Sequence, residues 1–426
     1  MKNMFVGASV LALTTGTAFA AGLDRSGQSV SSIFAEDGTA ALTFGLVTPS
    51  VTGTDAAGAR YDVAKRYSQT GLTFTNSVNE RFNWSIIADK PYGVDVDYNA
   101  DPLTSALGGT KADLNSNALT IVGRYKITDR ISVFGGIGAQ SIDADVSLNG
   151  QSYAGAIATA GVAATVPGLD PSVLGAALQG DVAAATLIDT TYGAGTTAAL
   201  GGAVAGAVGG FNATGGYAFR MKESTSPNYL IGAAYEIPDI ALRIAGTYRF
   251  ESKHSATISE DLLGMTYDSS TPGYDDEIDY VSPQSFNLEF QTGIAPGTLV
   301  TASYRWTEFS AVDIIPSRLG SDLVNLGDAH RYTLGVAKRF NDRFAGSVTL
   351  SYEPATGDKT VSPLGPTDGL KGISFGGQFT DGPIKISGGI NYSWLGDADA
   401  GVAGIKAAEF RDNHAVGIGF KAEMTF

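Results

Sequence analysis

The chain has 426 residues, 43% of them hydrophobic and only 17% charged, with a formal net charge of -15 and no cysteine. A strongly acidic chain offers no basic face for nucleic-acid phosphates, and without cysteine neither disulfides nor thiolate metal sites are available. No metal motif or phosphate-cradling loop is present, so neither a cofactor nor a metal is expected.

The chain opens on an export signal. Lys2 supplies the positive start, Phe5 to Leu13 a short apolar run, and Ala18-Phe19-Ala20 a small-residue cleavage site, which gives a signal peptide over 1–20. The run is shorter than the roughly 20 apolar residues of a bilayer-spanning helix, so it is removed rather than kept as an anchor. The next segment, 21–39, is small and polar, with Gly22, Leu23, Ser26, Ser29, Ser32, Ile33 and Phe34 as its notable side chains.

From residue 40 onward the dominant pattern has a period of two. Phe286, Leu288 and Phe290 oppose Ser285, Asn287, Glu289 and Gln291; Val300, Ala302, Tyr304 and Trp306 oppose Thr301, Ser303, Arg305 and Thr307. Leu242, Ile244, Tyr248 and Phe250 likewise oppose Arg243, Thr247, Arg249 and Glu251. The pattern suits a water-soluble sandwich as well as a barrel whose apolar face meets lipid. The export signal, the lack of cysteine and the last strand favour the barrel, since Val416, Ile418, Phe420, Ala422, Met424 and Phe426 share one face up to the final residue.

Six short connections carry turn residues: 78–80, 128–129, 238–239, 295–297, 341–342 and 381–382. Seven longer ones alternate with them, at 54–66, 99–111, 149–214, 259–280, 313–328, 355–368 and 396–411. Thirteen connections imply fourteen strands with both ends on one side, hence an all-β, fourteen-stranded antiparallel transmembrane β-barrel over 40–426. The extracellular loop 149–214 is Ala- and Gly-rich and suits helices over 156–164, 171–178 and 181–187, with Asp170 near one start; Gly202 and Gly206 have a spacing also used by packed membrane helices. Asp275, Asp276, Glu277 and Asp279 read as a solvated loop or as a cation-mediated contact with lipopolysaccharide. Within the third strand, Pro91 lacks an N–H and Gly93 tolerates unusual dihedrals, so pairing around Asp89, Lys90, Pro91, Tyr92 and Gly93 is expected to break. Gly372-Ile373-Ser374-Phe375-Gly376 matches a hydrolase nucleophile pattern but lies within an alternating strand, and His254, His330 and His414 are scattered. No enzyme is expected.

Several stretches, in order, resemble the FadL-type family of outer-membrane transporters for long-chain fatty acids and other hydrophobic compounds. They are Ala21-Gly22-Leu23 with Ser26 to Ser32, Asp89 to Gly93, Asp113-Leu114, Asn228 to Glu236, Tyr248 to Lys253 and Asp328 to Gly335. The resemblance implies a barrel plugged by its N-terminal segment, here 21–39. It also implies passive diffusion of hydrophobic small molecules from the external loops to a lateral opening at a kink in strand three. It implies basic lumen residues that hold a carboxylate, for which Arg249, Lys253, Arg305 and Arg331 are the candidates. The family's Asn-Pro-Ala turn is missing, because Ala35 to Ala40 runs straight into the first strand. A bacterial outer-membrane monomer surrounded by lipid and lipopolysaccharide is expected. A general diffusion porin for small polar solutes is the alternative, and an adhesion barrel acting through its long loop is a further one.

Overall fold

A computed structural model describes residues 23–426; the signal peptide expected over 1–20, Ala21 and Gly22 lie outside the described residues. Fourteen antiparallel strands close into a barrel. In chain order they are Thr39–Ser50, Tyr67–Ser77, Phe82–Asp89 with Gly93–Asp97, Lys111–Lys126, Ile131–Leu148, Tyr217–Ile237 and Leu242–Arg249 with Ser252–Leu262. There follow Glu277–Ser282 with Ser285–Ala295, Thr298–Thr307, Ala329–Arg339, Phe344–Glu353, Leu370–Asp381, Ile384–Leu395 and His414–Thr425. The first and last strands pair from Thr39↔Thr425 to Ser50↔His414, which removes both open edges.

Lipid and lumen faces follow the alternation. On strand four Leu119, Ile121 and Tyr125 are exposed while Ala118, Thr120, Val122 and Arg124 are buried inside. On the last strand Val416, Ile418, Phe420 and Met424 point outward, and Phe426 is 80% exposed. Such a belt exceeds the few hundred Å² of contiguous apolar surface that a soluble monomer tolerates. Its edges are aromatic. Tyr304, Tyr332 and Tyr352 form one ladder, with ring centroids 5.2 and 6.5 Å apart, and Phe340 and Phe344 mark the opposite rim. The step from Tyr332 to Phe340 is about eight residues, roughly 26 Å of strand, which a tilt of about 40° reduces to ~20 Å of height. That suits an outer membrane.

The external loops carry structure that the alternation does not reveal. Thr52–Asp55 and Arg60–Asp62 form a hairpin that joins a second one, Ala398–Val402 with Ile405–Phe410, in a separate four-stranded sheet. Loops one and seven are thereby clasped. Tyr98, fully buried, stands 5.1 Å from the Tyr61 ring and 6.0 Å from Phe410, and its hydroxyl donates to Pro363 O at 2.7 Å.

The long loop folds as α1 (Gln151–Ala164), α2 (Pro171–Leu178), α3 (Val182–Tyr192) and α4 (Thr196–Ala213). Asp170 and Asp181 cap α2 and α3 by accepting from Ser172 N at 2.8 Å and from Ala183 N at 2.8 Å. Leu174, Ile188 and Val204 bury one another between the helices, while Phe211 and Tyr153 pack into the apolar layer under the loops. Gly202 and Gly206 have nothing within 4 Å of where a side chain would begin, so their spacing makes no close helix contact. No single helix among the described residues is long and apolar enough to cross a membrane.

Candidate functional site

Strand three is interrupted where Pro91 stands. Its ladder with strand four runs to Asp89↔Ala118 and resumes at Gly93↔Asn115, so three residues, Lys90 to Tyr92, face two, Ser116 and Asn117. The extra residue throws the strand out of line. Toward strand two the last pair is Leu72↔Ala88, and backbone bonding returns only at Lys65 N to Asp95 O, 3.1 Å, and Asp97 N to Val63 O, 2.8 Å. In between, Tyr67 to Gly71 pair with strand one alone.

Backbone groups freed by such a break need partners, since each left bare in an apolar setting costs several kcal/mol. The leading segment supplies them from inside. Arg25 N donates to Pro91 O at 2.8 Å, Gly93 N donates to Leu23 O at 2.9 Å, and Asp24 bridges Tyr92. Ser116 completes the set, accepting from Tyr92 N and donating to Tyr92 O, both at 2.8 Å. Arg25 Nε donates to Gly93 O at 3.0 Å, and its guanidinium lies over the ring of Tyr67 on strand two. A side chain at Gly93 would begin 2.7 Å from that guanidinium, so any other residue here would push Arg25 out of this position.

The same segment is tied to the barrel wall along its length. Ser26 Oγ donates to Asp89 at 2.6 Å, and Ser29 Oγ donates to Glu289 at 2.7 Å. Ser32 Oγ meets Ser85 Oγ at 2.8 Å. Ile33 is fully buried and its carbonyl accepts from Asn83 at 2.6 Å. Phe34 lies edge-on to Phe134, with the guanidiniums of Arg124 and Arg243 over its ring at 4.5 and 4.3 Å. Leu23 packs with Tyr92 and Phe309.

Of the four basic candidates, three face the lumen. Arg305 is buried and bonds Asp24 at 2.5 Å, Asn287 at 2.9 Å and Gln28 Oε1 at 3.2 Å. Arg331 pairs with Glu353 at 2.9 Å. Arg249 donates to Asn228 Oδ1 at 3.4 Å and Gln28 O at 3.5 Å, both neutral acceptors. Lys253 corrects the sequence reading, for it lies on the exposed side of strand seven. The strand's inward residues are Ala245, Thr247 and Arg249, then Ser252, His254 and Ala256, because Phe250 and Glu251 both point out. One such irregularity reverses every later face.

Sequence reasoning passed over Asp24, Arg25, Gln28, Tyr67 and Ser116. Two adjacent charges, Asp24-Arg25, within an otherwise small and polar stretch were the available signal. Elsewhere, Ser374 sits mid-strand and accepts from Asn391 Nδ2 at 2.9 Å, with no strand-to-helix turn around it. No group of three or more metal-capable His, Asp or Glu side chains is assembled among the described residues.

A closed fourteen-stranded barrel with an apolar girdle, charged side chains inside and its first residues bonded across the lumen is an outer-membrane transport barrel. The chain belongs to the outer membrane protein transport family OMPP1/FadL/TodX, whose model matches residues 46–393. Among solved structures, a Pseudomonas aeruginosa FadL homologue superposes with a TM-score of 0.62 at 13% identity, covering 93% of this chain and 92% of that one. The Pseudomonas putida toluene transporter TodX gives 0.60 at 13% identity, covering 96% and 98%. The Ralstonia pickettii toluene transporter TbuX gives 0.56 at 11% identity, covering 92% and 90%. At these identities the likeness is one of fold. No match was found among curated proteins.

Proposed function

We propose that the protein admits hydrophobic molecules, long-chain fatty acids or related compounds of the toluene type, by passive diffusion from the external loops to a lateral opening at the strand-three kink. The observation that carries this reading is the missing ladder between Tyr67 to Gly71 and Asp89 to Gly93, covered from within by Leu23 to Ser26. Residues 21–39 act as the plug. Displacing Leu23 to Ser26 from Pro91 and Gly93 frees a route through the wall for a molecule that prefers lipid to water. Arg305 and Arg331 already pair with internal carboxylates, which favours neutral apolar cargo over an anion clamped at those positions. The barrel works as a monomer surrounded by lipid and lipopolysaccharide.

The test is to rebuild Asp89 to Gly93 as a regular alternating strand and to follow labelled toluene and labelled fatty acid into cells. Uptake is expected to stop while the barrel still assembles, and normal uptake would rule out the lateral route. Free swelling of liposomes in sugars would instead favour an open porin.

A further inference from the structure

Loop five (313–328) joins strand nine to strand ten as a compact flap. Its base is fixed by Asp328, whose carboxylate accepts from Ser310 N at 3.2 Å, Ser310 Oγ at 2.7 Å and the Trp306 indole N–H at 3.1 Å. Its middle is stiffened by Asp322, which accepts from Ile314 N at 2.9 Å, Val324 N at 3.0 Å and Asn325 N at 2.7 Å. Leu323 N also donates to Ile314 O at 2.9 Å, so the two arms are bonded to each other and move as one piece.

The tip is fastened to strand seven through one side chain. Glu260 is fully buried, and its carboxylate accepts from Arg318 N at 2.7 Å and Leu319 N at 2.9 Å on the flap. It also accepts from the hydroxyls of Tyr217 on strand six, at 2.7 Å, and Tyr274 in loop four, at 2.8 Å. Hydrogen bonds to an ionised acceptor are the strong ones, so four neutral donors converging on one buried carboxylate make a latch. Ser317 Oγ donating to Asp275 O at 2.9 Å and the Arg318 guanidinium 4.5 Å over the Tyr267 ring add to it.

The apolar side chains of the flap are buried in two places. Ile314 and Leu323 belong to the layer under the external loops. Val312 shares a second buried cluster with Phe309, Tyr92 and Leu23, against which Val324 and Leu326 also pack. Leu23 is the residue whose carbonyl takes the Gly93 N–H at the gap, and Phe309 stands edge-on to Tyr92 with ring centroids 6.0 Å apart. One stiff loop therefore bears both on the external layer and on the residue that covers the opening in the wall.

We propose that loop five is a latched flap that couples the external mouth to the lateral gap. While Glu260 holds Arg318 and Leu319, Val312 and its neighbours keep Leu23 packed over Gly93; lifting the tip about the Asp328 base unpacks Leu23 from the kink. An apolar molecule that enters the external layer wedges against Ile314 and Leu323, so cargo itself raises the flap. The device rests on the reading of Leu23 to Ser26 as the cover of the lateral route and adds what releases that cover. Coupling between two sites is reciprocal, so Leu23 in turn helps to hold the flap down.

The test reads backbone hydrogen exchange in the full protein in lipid nanodiscs, where local opening is resolved segment by segment. Glu260→Ala is expected to speed exchange about tenfold over 314–323 and about threefold over 23–28 and 90–96, with strands eleven to thirteen unchanged as the sign that the barrel is folded. Tyr274→Phe removes one of the four donors and should give the same pattern at smaller size, which decides the matter if Glu260→Ala does not assemble. Leu23→Ala should speed exchange over 314–323 in return. A rise confined to 314–323, no rise there in the latch variants, or an effect that runs in one direction only would each overturn the proposal. Uptake of labelled toluene is followed separately: its absence counts against transport, whereas the exchange pattern still decides whether flap and cover move together.

Discussion

The guanidinium carbon of Arg25 lies 3.9 Å from the centroid of the Tyr67 ring, joining the leading segment to strand two at the level where strands two and three stop pairing. Because Arg25 also bonds Gly93 O, one side chain spans the gap. A desolvated cation–π contact is worth about 1–2 kcal/mol. Arg25→Ala should therefore raise the open population roughly 5- to 30-fold, seen as faster uptake of a labelled hydrocarbon or higher conductance in planar bilayers. An unchanged rate would show that Arg25 does not hold the gap shut.

Ser116 should matter for stability rather than for cargo. Ser116→Ala strands the Tyr92 N–H among buried neighbours, at a cost of about 1–3 kcal/mol for an unmade bond. The urea midpoint of the barrel in liposomes is expected to fall, with Ser116→Thr retaining most of it. Equal midpoints for serine and alanine would show that another group serves the kink.

The Asp24–Arg305 pair anchors the leading segment across the lumen. Removing one partner leaves a buried charge unpaired, a loss of about 3–5 kcal/mol, whereas replacing both with apolar side chains is far milder. Arg305→Ala is thus expected to release residues 23–37 to added protease, and Asp24→Leu with Arg305→Met to restore protection. If the double variant is cleaved as fast as the sum of the singles, the two residues act independently.

Acid should unfasten the external clasp. Burial acts to raise the Asp55 carboxyl, but bonds from Ala106 N, the Tyr61 hydroxyl, Ala59 N and Ala57 N outweigh it and hold the group below the ordinary carboxylate range. A depressed folded value means that the stabilisation is complete above the unfolded pKa, about 3.9, and is lost as pH falls through the folded one. Cleavage of loop one by an acid-active protease should accelerate below about pH 4. Rates are taken relative to an unstructured peptide cut by the same protease; in Asp55→Asn the relative rate should already be high at about pH 6, with a neutral-active protease, and should not rise further in acid, so an acid response retained by the variant would point to a different carboxylate.

What the sequence settled by itself was local. A period of two sets which side chains meet lipid, turn residues set where strands reverse, and from these the strand number, the alternation of short and long connections and the break at Pro91 were all legible. Pro91 announces its missing N–H wherever it stands. The rest depended on partners distant in the chain. Lys253 sits outside because Phe250 and Glu251 both face out, a change of phase the alternating pattern before it does not foretell. Arg25 acquires its role only when Gly93 and Tyr67 are brought to it, and the hairpin of residues 52–62 gains its second partner only when Gly53 to Asp55 meet Ala408 to Phe410. Side-chain direction along one strand is fixed by covalent geometry, but which groups go unsatisfied is decided by the neighbouring strand, and only the closed barrel supplies that neighbour.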